Sequence, residues 1–282
     1  MRTSYILLGE VMGTTKKIAA LLVGVAAPVA AMAPAAEAEA RPAMVAYHGL
    51  TASQSVERVR QLRDQGYRPI TVNVSDGERY AAVWAKGGSP SKWGIWQGMS
   101  ADEFQQRFDA GLKEGAQPVS VSATGPSGSP VFTAIFEKRS GRFVTRSNLT
   151  PSQFGAANKK YAGQGLALSS VDVYGTPGDL RYVGVWTANQ GGAWYYTYGK
   201  SHEQHEAYFN AKRKQGFRPV KVAVAPDGTY SAVWRKDGVK SWAHYIDMTA
   251  SGYQKRFESL NAKGLFPVQV NAENGRYTAI WQ

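Results

Sequence analysis

Five times along the chain an amphipathic stretch of helical period stops at a glycine and is followed by apolar residues at every second position. The glycines are Gly66, Gly115, Gly165, Gly216 and Gly264, with spacings of 49, 50, 51 and 48 residues. Fifteen residues before each stands a hydroxyl residue: Thr51, Ser100, Thr150, Ser201 and Thr249. A Ser or Thr side chain accepts from the orphan amides of a first helical turn, and glycine takes the left-handed conformation just past a helix end. Each interval therefore predicts one helix of about fourteen residues. Leu50, Met99, Leu149 and Met248 precede caps, and Phe104, Phe154 and Tyr253 lie four residues after them, the pattern of a hydrophobic staple in units two, three and five. Unit one has Ser55 at that place; unit four has Lys200 and His205.

After each glycine the alternation predicts a strand, with valine in one column at Val72, Val121, Val171, Val222 and Val270. Proline opens that strand at Pro69, Pro118, Pro219 and Pro267, where a missing donor costs least; unit three has Leu168. A turn rich in Gly, Asp, Asn and Ser leads to a second strand ending at Trp84, Phe136, Trp186, Trp234 and Trp281. A third begins seven residues before each cap, at Met44, Trp93, Phe143, Trp194 and Trp242. The repeat is strand, helix, strand, strand, and five copies fill the chain from Ala43 to Gln282, approximately 43–91, 92–141, 142–192, 193–238 and 239–282. The expected fold class is an α+β repeat protein, a single domain over 41–282. Its units stack into a curved or closed antiparallel sheet with helices on the outside. No separate catalytic domain fits between the copies. The last strand is expected to present an open edge, to be covered by ring closure or by self-association.

The first forty residues fall outside the repeat. Lys16 and Lys17, an apolar run from Ile18 to Met32 and the small residues around Ala36–Ala40 have the layout of a secretory signal peptide over 1–40. The apolar run is shorter than the ~20 residues a spanning helix needs, so no membrane segment is expected after cleavage. The expected location is extracellular. Zero cysteines leave stability to buried apolar area. The formal charge of +12 is diffuse, which suits anionic partners as well as simple solubility.

Candidate chemistry is sparse. Ser89-Pro-Ser91-Lys92 matches Ser-x-x-Lys but sits in a turn between repeats, whereas that nucleophile signature requires a helix turn. His202 and His205, three residues apart, could offer two metal ligands, but they lack the i, i+4 spacing of a zincin helix and no third ligand is evident, so an exposed helix face is the expected reading and no metal is expected. Paired carboxylates for glycosidic cleavage cannot be located, and no cofactor is expected. Asn73-Val-Ser75 and Asn148-Leu-Thr150 are glycosylation sequons in a host that modifies exported proteins. The recurring Trp84, Trp186, Trp234 and Trp281 read as core. Residues that vary between copies in the strand before each helix are the ligand-binding candidates: Tyr47, His48, Trp96, Arg146, Tyr196, Tyr198, His244 and Tyr245. Aromatic rings and nearby cations there suit sugar stacking or an extended peptide. Because neighbours in a strand face opposite sides, only some can share one surface.

Together these columns resemble a known family, the tandem-repeat modules of secreted actinobacterial proteins and of the amino-terminal part of polyglycine hydrolases. The resemblance rests on the strand starting at Trp93, Trp194 or Trp242 and on the capped helix Ser100-Ala-Asp-Glu-Phe104-x-x-x-Phe108. Gly66-Tyr67-Arg68-Pro69, Gly216-Phe217-Arg218-Pro219 and Tyr80-Ala-Ala-Val-Trp84 complete it, over about 240 residues. It implies a curved half-barrel superhelix of sheet lined by helices and a role in substrate or surface recognition. Unit three departs most, with Phe143, Gly155 and Leu168. The β-lactamase-like serine domain of those hydrolases has no counterpart in these motifs, so their activity is not carried over. The expected function is a secreted non-catalytic binding or scaffolding module that recognises an extracellular polysaccharide, peptide or protein at the cell surface through aromatic and basic residues, the charge favouring an anionic partner; the alternative is a secreted hydrolase, a serine peptidase by family association.

Overall fold

A computed structural model describes residues 43–87 and 92–282. The proposed leader and the Ser89–Ser91 segment lie outside these residues. Unit one consists of β1 (Met44–Leu50), α1 (Ala52–Asp64), β2 (Tyr67–Ser75) and β3 (Arg79–Lys86). Unit two consists of β4 (Trp93–Met99), α2 (Ala101–Lys113), β5 (Ala116–Thr124) and β6 (Val131–Lys138). Unit three follows with β7 (Phe143–Leu149), α3 (Pro151–Gly163), β8 (Leu166–Thr176) and β9 (Asp179–Ala188). Unit four has β10 (Trp194–Lys200), α4 (His202–Lys214), β11 (Arg218–Val224) and β12 (Tyr230–Arg235). Unit five has β13 (Ala243–Met248), α5 (Ala250–Asn261), β14 (Pro267–Glu273) and β15 (Arg276–Trp281).

The punctuation predicted from sequence is in place. Thr51, Ser100, Thr150, Ser201 and Thr249 are the N-caps, and in the first four units a Gln or Glu at the third helical position completes a capping box. Gly66, Gly115, Gly165, Gly216 and Gly264 all take φ between 70° and 83°. A second left-handed column lies two residues before each cap: Gly49, Gly98, Asn148, Gly199 and Asp247. There the first strand slips register against its partner, so the column marks a β-bulge that turns the chain into the helix. The second strand bulges as well, one residue after Pro69, Pro118, Leu168, Pro219 and Pro267.

Each unit keeps its own three-stranded antiparallel sheet, in the order β1-β3-β2 and its equivalents. The sheet of the repeat is thus five separate sheets, none closed on itself, with a helix alongside each. The hairpin strand ending in Trp84 or its equivalents is the middle strand. This corrects the expectation of an open final edge: β15 pairs on one side with β13 and on the other with β14.

Closure comes from the inner strands. β2, β5, β8, β11 and β14 lie each against the next, and β14 lies against β2, completing a circle. Five apolar cores fill the spaces between consecutive units. One holds Leu62, Val72 and Trp84 of unit one with Trp93 and Ile135 of unit two; the closing core joins Trp281, Tyr253 and Val270 of unit five to Ala81 and Val83 of unit one. Trp84, Trp186, Trp234 and Trp281 are fully buried, each at 0% exposure. This is the core role read from their spacing.

A three-stranded sheet leaves one edge of its inner strand without a backbone partner, and buried N–H groups there must find acceptors. They find them on the side chains of the neighbouring unit. Ser122 Oγ accepts from Val74 N at 3.0 Å, Asp172 Oδ2 from Ala123 N at 3.1 Å, and Asn271 Oδ1 from Val224 N at 2.8 Å. Asn73 Oδ1 accepts from Ala272 N at 3.0 Å, tying unit one to unit five across 199 residues of sequence. Unit four carries Ala223 in this column and offers nothing, and the orphaned Val173 N is taken instead by Oδ1 of the adjacent Asp172 at 2.9 Å. All five edge amides at this level are satisfied. Buried in this clasp, Asn73 is closed to glycosylation in the folded chain, whereas Asn148 is exposed.

The clasp has an acidic cost. Burial raises the Asp172 carboxyl to about 6 and Glu273, buried one level further along the axis, to about 8. Glu273 is raised further by the nearby Asp172 and Asp76 carboxylates, against the hydrogen bond that Thr124 donates to it.

Two outcomes are expected. Asn73→Ala strips the acceptor from Ala272 N and should lower stability by about 1–3 kcal/mol in chemical denaturation, the cost of a buried orphaned donor. Glu273 holds its proton longer folded than unfolded, so its ionisation destabilises the fold as pH rises from about 4.5 towards about 8. Glu273→Gln should therefore raise the melting temperature relative to wild type at pH 8, and the gain should vanish near pH 4. An unchanged difference across that range would contradict the assignment.

Candidate functional site

The first strand of each unit stands between two helices. Tyr47 donates to or accepts from Ser55 of its own α1 at 3.2 Å; His48, next in sequence, contacts Gln254 and Tyr253 of α5 in the unit before it around the circle. Trp96 lies under Arg107 and Tyr245 under Arg256, each on its own helix, at 4.5 and 4.1 Å from guanidinium to ring centre. Arg146 is exposed, with its Nε donating to Tyr161 of its own α3. Tyr198 instead packs on Phe154 of the preceding α3, above Gly155, where a Cβ would come within 2.5 Å of the tyrosine oxygen. His244 meets His205 of the preceding α4. The eight candidates thus divide by strand alternation. Tyr47 is buried in the core; His48, Trp96, Tyr196, Tyr198, His244 and Tyr245 are half-buried.

Two places bring several rings together. On one face of β10, Trp194, Tyr196 and Tyr198 form a near-parallel ladder with centroids 6.0 and 6.2 Å apart. One unit further on, a groove of about 670 Å³ opens between α4 and β13. His244 and Tyr245 line it, with Phe209, Trp242, Arg213 and Lys240. Phe209 meets the Trp242 ring edge-on at 5.9 Å. The last turn of α4 carries Lys212, Arg213 and Lys214, so cations gather at one end of an aromatic wall, with Glu206 and His202 also on its lining. Phe209, Arg213, Lys240 and Trp242 were not among the sequence candidates. Their signal lay in the helix: Arg63, placed in α1 as Arg213 is in α4, stacks over Trp93 at 4.6 Å.

Under the groove sits a pair of imidazoles. The expected exposed helix face holds for His202, which is exposed beside Asp247, but not for His205, which is fully buried against Tyr230 and Trp234 in the place of the staple aromatic. His205 Nε2 and His244 Nε2 are 3.0 Å apart, and His244 Nδ1 lies 3.2 Å from the Ala279 carbonyl oxygen. A carbonyl only accepts, so the hydrogen-bond pattern assigns the His244 proton to Nδ1 and the shared proton to His205 Nε2. Burial lowers His205 to about 3 and His244 to about 4, so both rings are neutral at neutral pH. The pair is a neutral packing contact between units. Among the described residues that line the groove there is no Ser, Thr or Cys to act as a nucleophile, and no group of three or more His, Cys, Asp or Glu forms a metal site among the described residues. No helix among them is long and apolar enough to cross a membrane.

The arrangement offers ring faces, guanidinium and ammonium groups to a ligand lying along the strand. Comparison with known families fits the architecture. A family model described as the polyglycine hydrolase-like structural repeat matches residues 41–87, 90–139, 140–189, 191–237 and 239–282. Each matched segment contains one strand-helix-strand-strand unit of the circle. The chain belongs to the polyglycine hydrolase-like structural repeat family.

Proposed function

We propose that the protein is an exported, non-catalytic recognition module that holds an anionic, sugar-containing polymer at the cell surface in the groove between α4 and β13. The observation that carries this reading is the joining of Trp242, Phe209 and Tyr245 with Arg213 and Lys240 along one groove. Ring faces stack on the apolar faces of pyranose rings, and the cations answer carboxylate or phosphate substituents. The diffuse charge of +12 favours encounter with such polymers, and the ladder of Trp194, Tyr196 and Tyr198 one unit away offers a second stacking surface. The hydrolase reading has one support, the relation to polyglycine hydrolases through their repeat.

Calorimetry with polygalacturonate at low and high salt tests the reading. Trp242→Ala should weaken binding about fivefold or more at both salt levels, since a stacked anchor is worth upwards of about 1 kcal/mol. Replacing Arg213 and Lys240 with Gln should instead remove most of the salt dependence. Unchanged affinity in folded Trp242→Ala would sink the proposal. Cleavage of glycine-rich peptide, with fluorophosphonate labelling that Ser91→Ala abolishes, would establish the hydrolase reading in its place.

A further inference from the structure

Thr71, Ser120, Ser170, Lys221 and Gln269 occupy one column of the inner strands, opposite Val83, Ile135, Val185, Val233 and Ile280. The column lies one step along the axis from the satisfied clasp of Asn73, Ser122, Asp172 and Asn271. Its serines do the same work: Ser120 Oγ accepts from Val72 N and Ser170 Oγ from Val121 N, both at 3.3 Å. In unit four the column carries Lys221, which can only donate. Val171 has the register of Val72 and Val121, so its N–H points at the same edge, and the residue that should accept from it is an ammonium.

Lys221, the Val171 N–H and the Ser170 hydroxyl thus share one level of the adjacent strands β8 and β11. The Ser170 hydroxyl, having accepted from Val121, still has a proton to give. Lys221 is half-buried and forms no ion pair or hydrogen bond among the described residues. The carboxylate of the clasp, Asp172, is engaged with Ala123 N, Val173 N and Asn271 Nδ2. Burial lowers the lysine to about 8, which still leaves it charged at neutral pH. The lone unpartnered acceptor of the column, Gln269 Oε1, can take one of three ammonium protons and leaves the charge unanswered. A lysine whose column neighbours on the adjacent strand are an amide N–H and a hydroxyl, within a ring of polar side chains, brings together the groups that bind an anion.

We propose that the axis at the level of Lys221 binds a small oxyanion, either free or as the terminal carboxylate of a peptide, between the Lys221 ammonium, the Val171 N–H and the Ser170 hydroxyl. The site is independent of the groove between α4 and β13 and of the polymer-binding reading. It is tested by calorimetric titration of the whole protein with inorganic sulfate, with trialanine and with trialanine amide. Wild type should bind sulfate saturably at one site; Lys221→Met should lose about tenfold or more, and Lys221→Arg should keep most of it. Trialanine binding without amide binding would identify a chain-terminal carboxylate as a ligand, and sulfate binding alone would restrict the site to free ions. Should Lys221→Met fail to fold, the lysine can be followed by NMR in wild type, where saturating sulfate must raise its titration midpoint. Equal sulfate binding by Lys221→Met and wild type, or an unmoved midpoint, would overturn the proposal, as would absence of saturable binding in wild type.

Discussion

The circle depends on one constraint, the need of each inner strand's free edge for acceptors. A three-stranded sheet cannot close on itself, and five such edges meet around one axis. The apolar cores between units supply most of the free energy of association, but they are non-directional. Direction comes from side chains set about one repeat apart that reach back to the previous unit's amides, 48 residues for Ser122 to Val74 and 49 for Asp172 to Ala123. A slip of one residue would turn every such side chain to the wrong face. The same bond carried from Asn73 to Ala272 converts a row of repeats into a ring.

That geometry alters the meaning of variation between copies. Each first strand touches its own helix with one face and the preceding helix with the other, so differences between repeats are matched in neighbouring pairs. Gly155 makes room for Tyr198, His205 meets His244, and Ser55 accepts from Gln97 Nε2 at 2.8 Å. Packing alone therefore accounts for part of the variability in Tyr47, His48, Tyr198 and His244. The groove rests instead on residues such as Trp242, Arg213 and Lys240, which keep exposed surface beyond their packing contacts.

Local signals were legible because they act over a few residues. The caps, the left-handed glycines, the four buried tryptophans and the unit order all follow from spacing in the chain. The order of strands within a sheet was not legible, because the hairpin strand is inserted between two strands separated by a helix, and nothing in the periodicity says which partner it takes. The open edge expected of the last strand failed for that reason. Alternation correctly separated Tyr47 from His48, but it could not say that Tyr47 would be buried against Ser55. His205 looked exposed because histidine is polar; its position four residues after the cap, where other units place Phe104, Phe154 and Tyr253, was the better guide.

Departures from the repeat then sort into two kinds. Ala223 withdraws an acceptor, and Asp172 compensates by using both oxygens, one for each neighbouring amide. Gly155 withdraws a side chain, and Tyr198 fills the space. In a closed ring every such loss falls on a buried neighbour, so uncompensated departures are expensive and structural drift should remove them. Lys221 is a departure with no compensation in the chain: it places a charge and an extra donor where units two and three place an accepting hydroxyl. A residue that costs the ring stability and gains no partner within it points to a partner from outside, and this distinguishes Lys221 from the paired substitutions around the rest of the circle.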